Sequence, residues 1–220
     1  MNIEKLNREI ISCRKCTRLV EYRSSRSPRA GFAGETYWNK PITGYGSIGS
    51  RILIVGLAPA FDGGNRTGRI FTGDKSSDFL ISSLYAAGLA NMPTSERKDD
   101  GLKYIDTYIT LALKCAPPDN KPEKEELNNC SGFFEKEIEQ MENLKAILCL
   151  GKIAFDSTLK FFRAHQINTR GIKFIHGKYY NIGGVRLYCS YHPSPRNVNT
   201  GLLRKEEFIS LLKKIRNFVG

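Results

Sequence analysis

The chain lacks any long apolar run, which excludes a membrane-spanning helix as an expected feature. Among its 220 residues, no hydrophobic stretch approaches the roughly 20 residues that such a helix needs. The N-terminal segment MNIEKLNREIISCRKC also lacks the apolar core of a secretory leader, because charged residues interrupt it at Glu4, Lys5, Arg8 and Glu9. We therefore expect a soluble protein of the cytoplasm.

Acidic residues are fewer than basic residues. The 22 Asp and Glu residues face 34 Lys and Arg residues, and the formal net charge is +12. A basic surface favours a polyanionic partner, because each neutralised phosphate releases condensed counterions. Nucleic acid is therefore the favoured partner, although a protein can be basic without binding it. Internal repeats and dividing linkers are also lacking, so we expect one domain over residues 1–220.

Short apolar runs alternate with helical patterns along the chain. The β-branched and aromatic composition of four runs predicts strands: residues 51–55, 104–113, 145–150 and 185–191. Four segments with helical spacing predict helices: residues 76–89, 122–141, 153–165 and 202–219. The alternation predicts a three-layer α/β/α fold around a mostly parallel four-stranded sheet. Ligands of such folds bind beyond the carboxyl ends of the strands, here at the loops after Val55 and Tyr191.

Six cysteines in a reducing compartment are poor candidates for a disulfide framework. Cys13 and Cys16 form a CxxC pair, and Cys115 and Cys130 form a second pair separated by fourteen residues. These four thiolates can converge on one metal site if the N-terminal segment folds back on the domain. Spacing leaves zinc, an iron–sulfur cluster and free cysteines open. The other two cysteines, in AILCLG and RLYCSY, are expected to be small buried side chains.

Basic residues surround the CxxC pair. A charge run of this kind is usually a solvated loop, but side chains held by a metal site can also contact phosphates. We favour phosphate contact because the whole chain is basic, and the residues concerned are Arg14, Lys15, Arg18, Arg23, Arg26 and Arg29.

Two unusual loops follow the first and the last predicted strands. The first, GLAPAFDGGNRTGRIFTGDKSSDF, is rich in glycine, which allows backbone to approach a ligand closely. It has neither the GxGxxG spacing nor the GK[ST] ending of nucleotide-binding loops, so we expect no nucleotide cofactor. The second, HPSPRNVNTG, contains prolines that stiffen a loop presenting His192, Ser194 and Asn197.

These two loops, the LKCAPP segment at 113–118 and the four cysteines resemble the family-5 uracil-DNA glycosylases, the UDGb type. The resemblance spans roughly residues 13–201 and implies a monofunctional glycosylase that removes uracil from DNA and starts base excision repair. No motif positions a lysine for a Schiff base, so we expect no lyase step. The resemblance also implies a [4Fe–4S] cluster on the four cysteines, which would tie in an N-terminal strap of about residues 1–50. The expected partner is DNA, bound by a monomer at the nucleoid.

The resemblance assigns catalytic roles to two side chains. His192 would stabilise the negative charge that develops on the pyrimidine O2 when the bond to the sugar breaks. Asp74, at the end of the first loop, would stabilise the sugar cation and accept a proton from water. As an alternative, Asp74 caps the helix that begins near Ser76.

The remaining predicted contacts concern a base that is flipped out of the duplex. Phe71 is expected to stack on that base. Four further residues are expected to contact the base or its phosphates: Gly56, Ala58, Asn65 and Asn197. Three residues are expected to contact the DNA backbone or fill the gap near the lesion: Ser194, Pro195 and Arg196.

Two departures from related families bear on specificity. GLAPA contains no polar side chain where related families carry Asp, Asn or Glu, and Leu111 occupies the place of an Asn that reads uracil. A site with few hydrogen bonds to the base rejects analogues weakly, so we expect hypoxanthine, 5-hydroxymethyluracil and ethenocytosine as further substrates. The alternatives are a non-catalytic metal-containing nucleic-acid-binding or damage-sensing protein, and an electron-transfer protein, which leaves the HPSPRNVNTG loop without a purpose.

Overall fold

A computed structural model describes residues 2–220 of the chain. Its strands form one six-stranded sheet in the order β1-β3-β2-β4-β6-β5. The strands are β1 (Tyr45–Gly46), β2 (Ile52–Gly56), β3 (Thr107–Leu111), β4 (Ala146–Leu150), β5 (Tyr179–Ile182) and β6 (Val185–Ser190). The four central strands are mutually parallel, whereas β1 and β5 pair antiparallel at the two edges.

The four predicted strands are confirmed as the parallel centre of the sheet, but the predicted count of four is wrong because of the two edge strands. β1 has only two residues, which is too short to show a hydrophobic period. β5 joins β6 through Gly183 and Gly184, whose φ angles of 56° and 80° suit a tight hairpin turn. The predicted strand over 104–113 shortens to β3, because Asp106 adopts a φ of 47° just before it.

Within residues 2–220, eight α-helices surround the sheet. They are α1 (Ile3–Ser12), α2 (Thr17–Ser25), α3 (Gly64–Thr67), α4 (Lys75–Ala86), α5 (Lys124–Glu139), α6 (Lys152–Ala164), α7 (Pro195–Asn199) and α8 (Lys205–Val219). The four predicted helices correspond to α4, α5, α6 and α8, with ends that differ by a few residues. Two single 3₁₀ turns lie at Ala30–Phe32 and Pro118–Asn120.

Two hydrophobic cores separate the three layers. Successive residues of β2 point to opposite faces of the sheet, as the pleat of a strand requires. Ile54 packs with α4 and α8 in one core, and Val55 packs with α5 and α6 in the other. Cys149 and Cys189 are fully buried in the second core, which confirms their expected structural place. The α/β/α prediction is therefore confirmed.

The N-terminal strap lies against the domain through α1 and α2. α1 packs on α5, and Leu19 of α2 joins a small apolar cluster with Leu113 and Cys130. The strap thus brings the CxxC pair to the segment that carries the other two predicted ligands. Within the described residues, none of the helices has both the length and the apolar character needed to cross a membrane.

Candidate active site

A cavity of about 220 Å³ opens at the carboxyl ends of the central strands. Drug-sized ligands occupy pockets of roughly 300–1,000 Å³, so this cavity suits a smaller group such as one heterocyclic ring. Apolar residues form most of its wall: Leu57, Ala58, Pro59, Ile70, Phe71 and Leu111. Polar side chains also reach it: Asp74, Ser76, Asn120, His192 and Ser194. Residues far apart in sequence therefore meet where the fold predicts a ligand.

His192 lines the cavity two residues after the end of β6. Its ring stacks near Phe71, with ring centroids 6.2 Å apart and an interplanar angle of 29°. Burial lowers the pKa of His192 to about 4, so the imidazole is neutral near pH 7. A neutral imidazole still carries one N–H. His192 is therefore equipped to donate a hydrogen bond without carrying a charge into the cavity.

The main chain at His192 is held by the loop that follows it. The carbonyl oxygen of His192 accepts hydrogen bonds from Ser194 N at 2.8 Å and from Asn197 Nδ2 at 2.9 Å. Ser194 is also the N-cap of α7, where its hydroxyl accepts from Asn197 N at 3.4 Å. Asn197 is not among the residues that line the cavity. Its amide supports the histidine from behind rather than facing a ligand.

Asp74 caps a helix and also lines the cavity. It is the N-cap of α4, since its Oδ1 accepts a hydrogen bond from Ser77 N at 2.8 Å and Ser77 Oγ accepts one from Asp74 N at 3.0 Å. The other oxygen, Oδ2, lies so close to Gly63 that a Cβ there would stand 2.1 Å from it. Burial raises the pKa of Asp74, and the bond from Ser77 opposes that shift. The capping interaction fixes a carboxyl group that also lines the cavity.

Phe71 lines the cavity and packs tightly against Gly56, which lies behind the wall. Phe71 is buried and adopts a φ of 47°, a conformation that bulky residues rarely take. Its carbonyl oxygen accepts a hydrogen bond from Ser95 Oγ at 2.8 Å. A Cβ on Gly56 would stand 2.8 Å from Leu111 Cδ2 and 3.1 Å from Phe71 Cζ. Gly56 therefore serves the site by allowing these two side chains to approach.

The four predicted cysteine ligands line a second, smaller cavity beneath the strap. Three of their sulfur atoms accept hydrogen bonds, from Arg23 Nη1 to Cys115 at 3.0 Å, from Lys114 N to Cys130 at 3.3 Å and from Asn129 Nδ2 to Cys16 at 3.7 Å. Across residues 2–220, however, no three or more His, Cys, Asp or Glu side chains are grouped as a single metal ion requires. The metal remains a prediction.

Comparison with known proteins decides the family. The family model described as the uracil DNA glycosylase superfamily matches residues 43–216. The type-5 uracil-DNA glycosylase of Pyrobaculum aerophilum is 44% identical over 205 residues, which are 93% of this chain and 88% of that protein. This chain belongs to the uracil-DNA glycosylase superfamily. The type-5 enzyme of Thermus thermophilus is 40% identical over all of both chains, whereas the type-4 enzyme of Archaeoglobus fulgidus is 29% identical over 100% of this chain and 94% of its own.

The family-5 resemblance seen in the sequence is thus confirmed, and the structure sorts its predicted site residues. In this uracil-DNA glycosylase fold, the cavity is lined by six of them: Ala58, Phe71, Asp74, His192, Ser194 and Pro195. Leu111 lies at the end of β3 and lines the cavity, and its correspondence to the Asn of related families stays a prediction. Arg196 is exposed just outside the cavity, on α7.

Three residues that were predicted to contact the base or its phosphates are not in the lining of the cavity. Gly56 lies behind the cavity wall, and Asn197 is engaged with the main chain of His192. Asn65 is buried, and its Nδ2 donates to Asn39 Oδ1 at 2.9 Å. The backbone of Asn65 and Asn39 is also joined, which ties the first loop of this family member to its strap. These residues support the site from outside the cavity.

Sequence reasoning missed Asn120 and Ser76 as cavity residues. Asn120 follows Asp119, and both adopt positive φ, of 56° and 52°. Asn and Asp tolerate the left-handed conformation better than other non-glycine residues do. The PPDN sequence therefore carried a turn signal after LKCA, but the place of that turn against the cavity depends on tertiary structure.

Two of the basic residues near the cysteines, which were predicted to contact phosphates, have partners within the protein. Arg18 pairs with Glu126 at 2.8 Å and with Glu123 at 3.0 Å. Arg23 is 5% exposed and faces Cys115 instead of solvent. Both cations therefore join the strap to the domain, because they meet partners more than 90 residues away in sequence.

Proposed function

We propose that this chain is a monofunctional DNA glycosylase that hydrolyses the N-glycosidic bond of uracil in DNA. The observation that carries the proposal is the meeting of His192, Asp74 and Phe71 in one ring-sized cavity at the carboxyl end of the sheet. The type-5 and type-4 relatives named above support uracil as the first base to test.

The departing base is the partner of His192 in this proposal. As the bond between the sugar and N1 breaks, both electrons stay with the base and negative charge spreads to its O2. The neutral His192 donates its N–H toward that oxygen, and a preorganised donor stabilises developing charge without rearranging. Phe71, stacked near His192, offers a face on which the flipped base can lie.

Asp74 acts on the sugar side of the broken bond. The sugar becomes a cation, which a neighbouring carboxylate stabilises by charge, and the same carboxylate can accept a proton as water adds to C1′. The backbone bonds of the N-cap favour the charged form of Asp74, while burial opposes it. Asn120 on the wall of the cavity offers an amide that can orient the water. A polar residue in GLAPA is therefore unnecessary for water capture.

We propose breadth of base choice from the composition of the wall. Leu57, Ala58 and Leu111 offer no hydrogen bonds to a base, so few buried polar groups would be left unpaired by an analogue. Hypoxanthine, 5-hydroxymethyluracil and ethenocytosine are the further bases to test. Ser194 and Pro195 at the cavity and the exposed Arg196 beside it are the proposed DNA contacts. The formal charge of +12 favours binding of a DNA duplex, and we propose that a single copy of the chain binds it.

A [4Fe–4S] cluster on Cys13, Cys16, Cys115 and Cys130 completes the proposal. Four thiols around one cavity are a suitable donor set, and hydrogen bonds to sulfur are a common feature around such clusters. We favour a cluster over zinc because the pattern of the four cysteines resembles that of the family-5 enzymes. When bound, the cluster supplies a covalent staple between the strap and the domain.

The test is incubation with a labelled duplex that carries one U opposite G, followed by alkali. Wild-type protein should produce a break at the uracil, and His192→Ala should lower the single-turnover rate by about 100-fold, as removal of one charge-stabilising donor does. Asp74→Asn keeps a good N-cap residue and removes only the negative charge, so its loss of activity reports chemistry and not folding. His165→Ala, on the exposed end of α6, is the control.

A non-catalytic damage-sensing protein is the second candidate, because GLAPA lacks a polar side chain. Tight binding of the U·G duplex without any alkali-sensitive site would support that candidate and refute the enzyme.

A further inference from the structure

His176 lies outside the cavity and has no part in the reaction proposed above. Its Nδ1 accepts a hydrogen bond from the main-chain N–H of Tyr191 at 3.1 Å. Its ring also stacks on the Tyr191 ring, with centroids 4.5 Å apart and an interplanar angle of 21°. Tyr191 is the residue directly before His192. A side chain from a separate turn therefore holds the peptide that leads into the cavity.

The turn that carries His176 is itself attached to β6. Gly177 N donates to the carbonyl oxygen of Cys189 at 2.8 Å, and Cys189 N donates to the carbonyl oxygen of Lys178 at 2.9 Å. Gly177 has a φ of 78°, which turns the chain at this point. Because Cys189 is fully buried in the core, the turn has a rigid foundation. The acceptor atom of His176 is thus fixed relative to the sheet.

We propose that His176 is a positioning residue that sets the depth of His192 in the cavity. The Tyr191–His192 segment is held at both ends, by His176 on the N–H of Tyr191 and by Asn197 on the carbonyl oxygen of His192. A misplacement of about 1 Å in a catalytic group can cost about 100-fold in rate. The inference rests on the proposed glycosylase function, since it assigns His176 to the same reaction.

The hydrogen bond requires a particular protonation state. Nδ1 can accept only while it has no proton, so the imidazole must be neutral. Burial lowers the pKa of His176, and Glu207 on α8 acts in the opposite direction. Arg186 and Lys214 are the other charged side chains that line the same 500 Å³ cavity beside the ring. As pH falls through the pKa of His176, a new N–H would face the N–H of Tyr191 and release the segment.

Two substitutions test the hydrogen-bond acceptor and the aromatic ring of His176 separately. His176→Phe keeps an aromatic ring against Tyr191 but removes the acceptor. His176→Asn loses the ring but places an amide oxygen close to the position of Nδ1. His165→Phe, on the exposed histidine of α6, is the matched control. Each variant is assayed on the U·G duplex under single-turnover conditions from pH 5 to 8, with binding of an abasic duplex measured separately.

We expect His176→Phe to lower the single-turnover rate about tenfold with unchanged binding of the abasic duplex, and His176→Asn to recover most of the rate. Protonation of Asp74 lowers the activity of every variant equally at low pH. A smaller loss of rate at low pH in His176→Asn than in wild type would therefore be due to the protonation of His176. If His176→Phe keeps the wild-type rate in an active enzyme, the inference is overturned while the proposed function stands.

Amide hydrogen exchange at Tyr191 tests the inference independently of catalysis. We expect slow exchange of this amide in wild type and in His176→Asn, and exchange at least tenfold faster in His176→Phe. Equal exchange in wild type and His176→Phe would overturn the positioning role even if the chain removes no uracil. A wild-type protein with a protected Tyr191 amide and no activity on the duplex would instead overturn the proposed function, and with it the role of His176 in that reaction.

Discussion

The neutral state of His192 predicts a loss of stability in mild acid. The pKa of His192 is lowered to about 4 by burial, whereas a histidine in the unfolded chain has a pKa of about 6.5. Between these values the unfolded state binds a proton that the folded state does not, so the free energy of unfolding must fall as pH falls. This loss of free energy of unfolding is absent above about pH 7.5 and reaches its full size only below about pH 4.

The magnitude follows from the two pKa values. Linkage gives a loss of about 2 kcal/mol at pH 5 and about 3 kcal/mol at pH 4 from this one side chain. Urea unfolding followed by fluorescence, repeated from pH 7.5 to pH 4.5, measures the total pH dependence. Buried carboxyl groups contribute to the total as well, so the informative quantity is the difference between wild type and His192→Asn.

His192→Asn removes the titrating group and should be the less acid-sensitive protein by about 2 kcal/mol at pH 5. His165→Asn is the control, because hydrogen bonds to Phe161 and Glu139 raise the pKa of His165 and its contribution has the opposite sign. If wild type and His192→Asn lose the same free energy between pH 7.5 and 5, the ring is not held neutral by burial, and its assignment as a neutral donor is wrong.

Further predictions concern the packing at Gly56, the choice of base and the proposed cluster. Gly56→Ala should lower the free energy of unfolding by about 1–3 kcal/mol in urea titrations, because its Cβ would overlap Leu111. A variant with wild-type stability would contradict the tight packing at Gly56. Leu111→Asn should narrow the range of bases released in competition assays, because an unpaired buried amide penalises mismatched analogues; an unchanged range would show that Leu111 does not set specificity. Cys115→Ala should lose iron and the brown absorption of a cluster and unfold at a lower temperature. A colourless wild-type protein that contains zinc would contradict the proposal of a cluster.

Regular periodicity made the centre of the fold predictable. β2 and β4 are buried on both faces, and their sequences are continuous apolar runs. α8 is buried on one face, and its sequence is amphipathic. Both patterns can be recognised in the sequence alone. The edge strands escaped prediction because β1 has two residues and Tyr179 of β5 is 48% exposed. β5 does alternate in burial, but its sequence Tyr-Tyr-Asn-Ile does not alternate clearly between apolar and polar residues.

The site was predictable where residue type and motif agreed, as for His192 and Asp74. It was less predictable for amides, because Asn65, Asn120 and Asn197 can each face a ligand or their own backbone. Only the folded chain shows that Asn120 reaches the cavity while the other two hold loops in place. His176 carried no signal at all, since its role depends on a contact with Tyr191 fifteen residues away.

The most direct test of the central claim is the release of free uracil from a duplex with one U opposite G, measured with enzyme in excess and with borohydride present in parallel samples. Hydrolysis without a covalent intermediate should give one equivalent of uracil per duplex, an intact abasic strand before alkali, and no protein–DNA adduct trapped by borohydride. A bound duplex that yields no uracil, or a trapped covalent adduct, would contradict hydrolysis by His192 and Asp74.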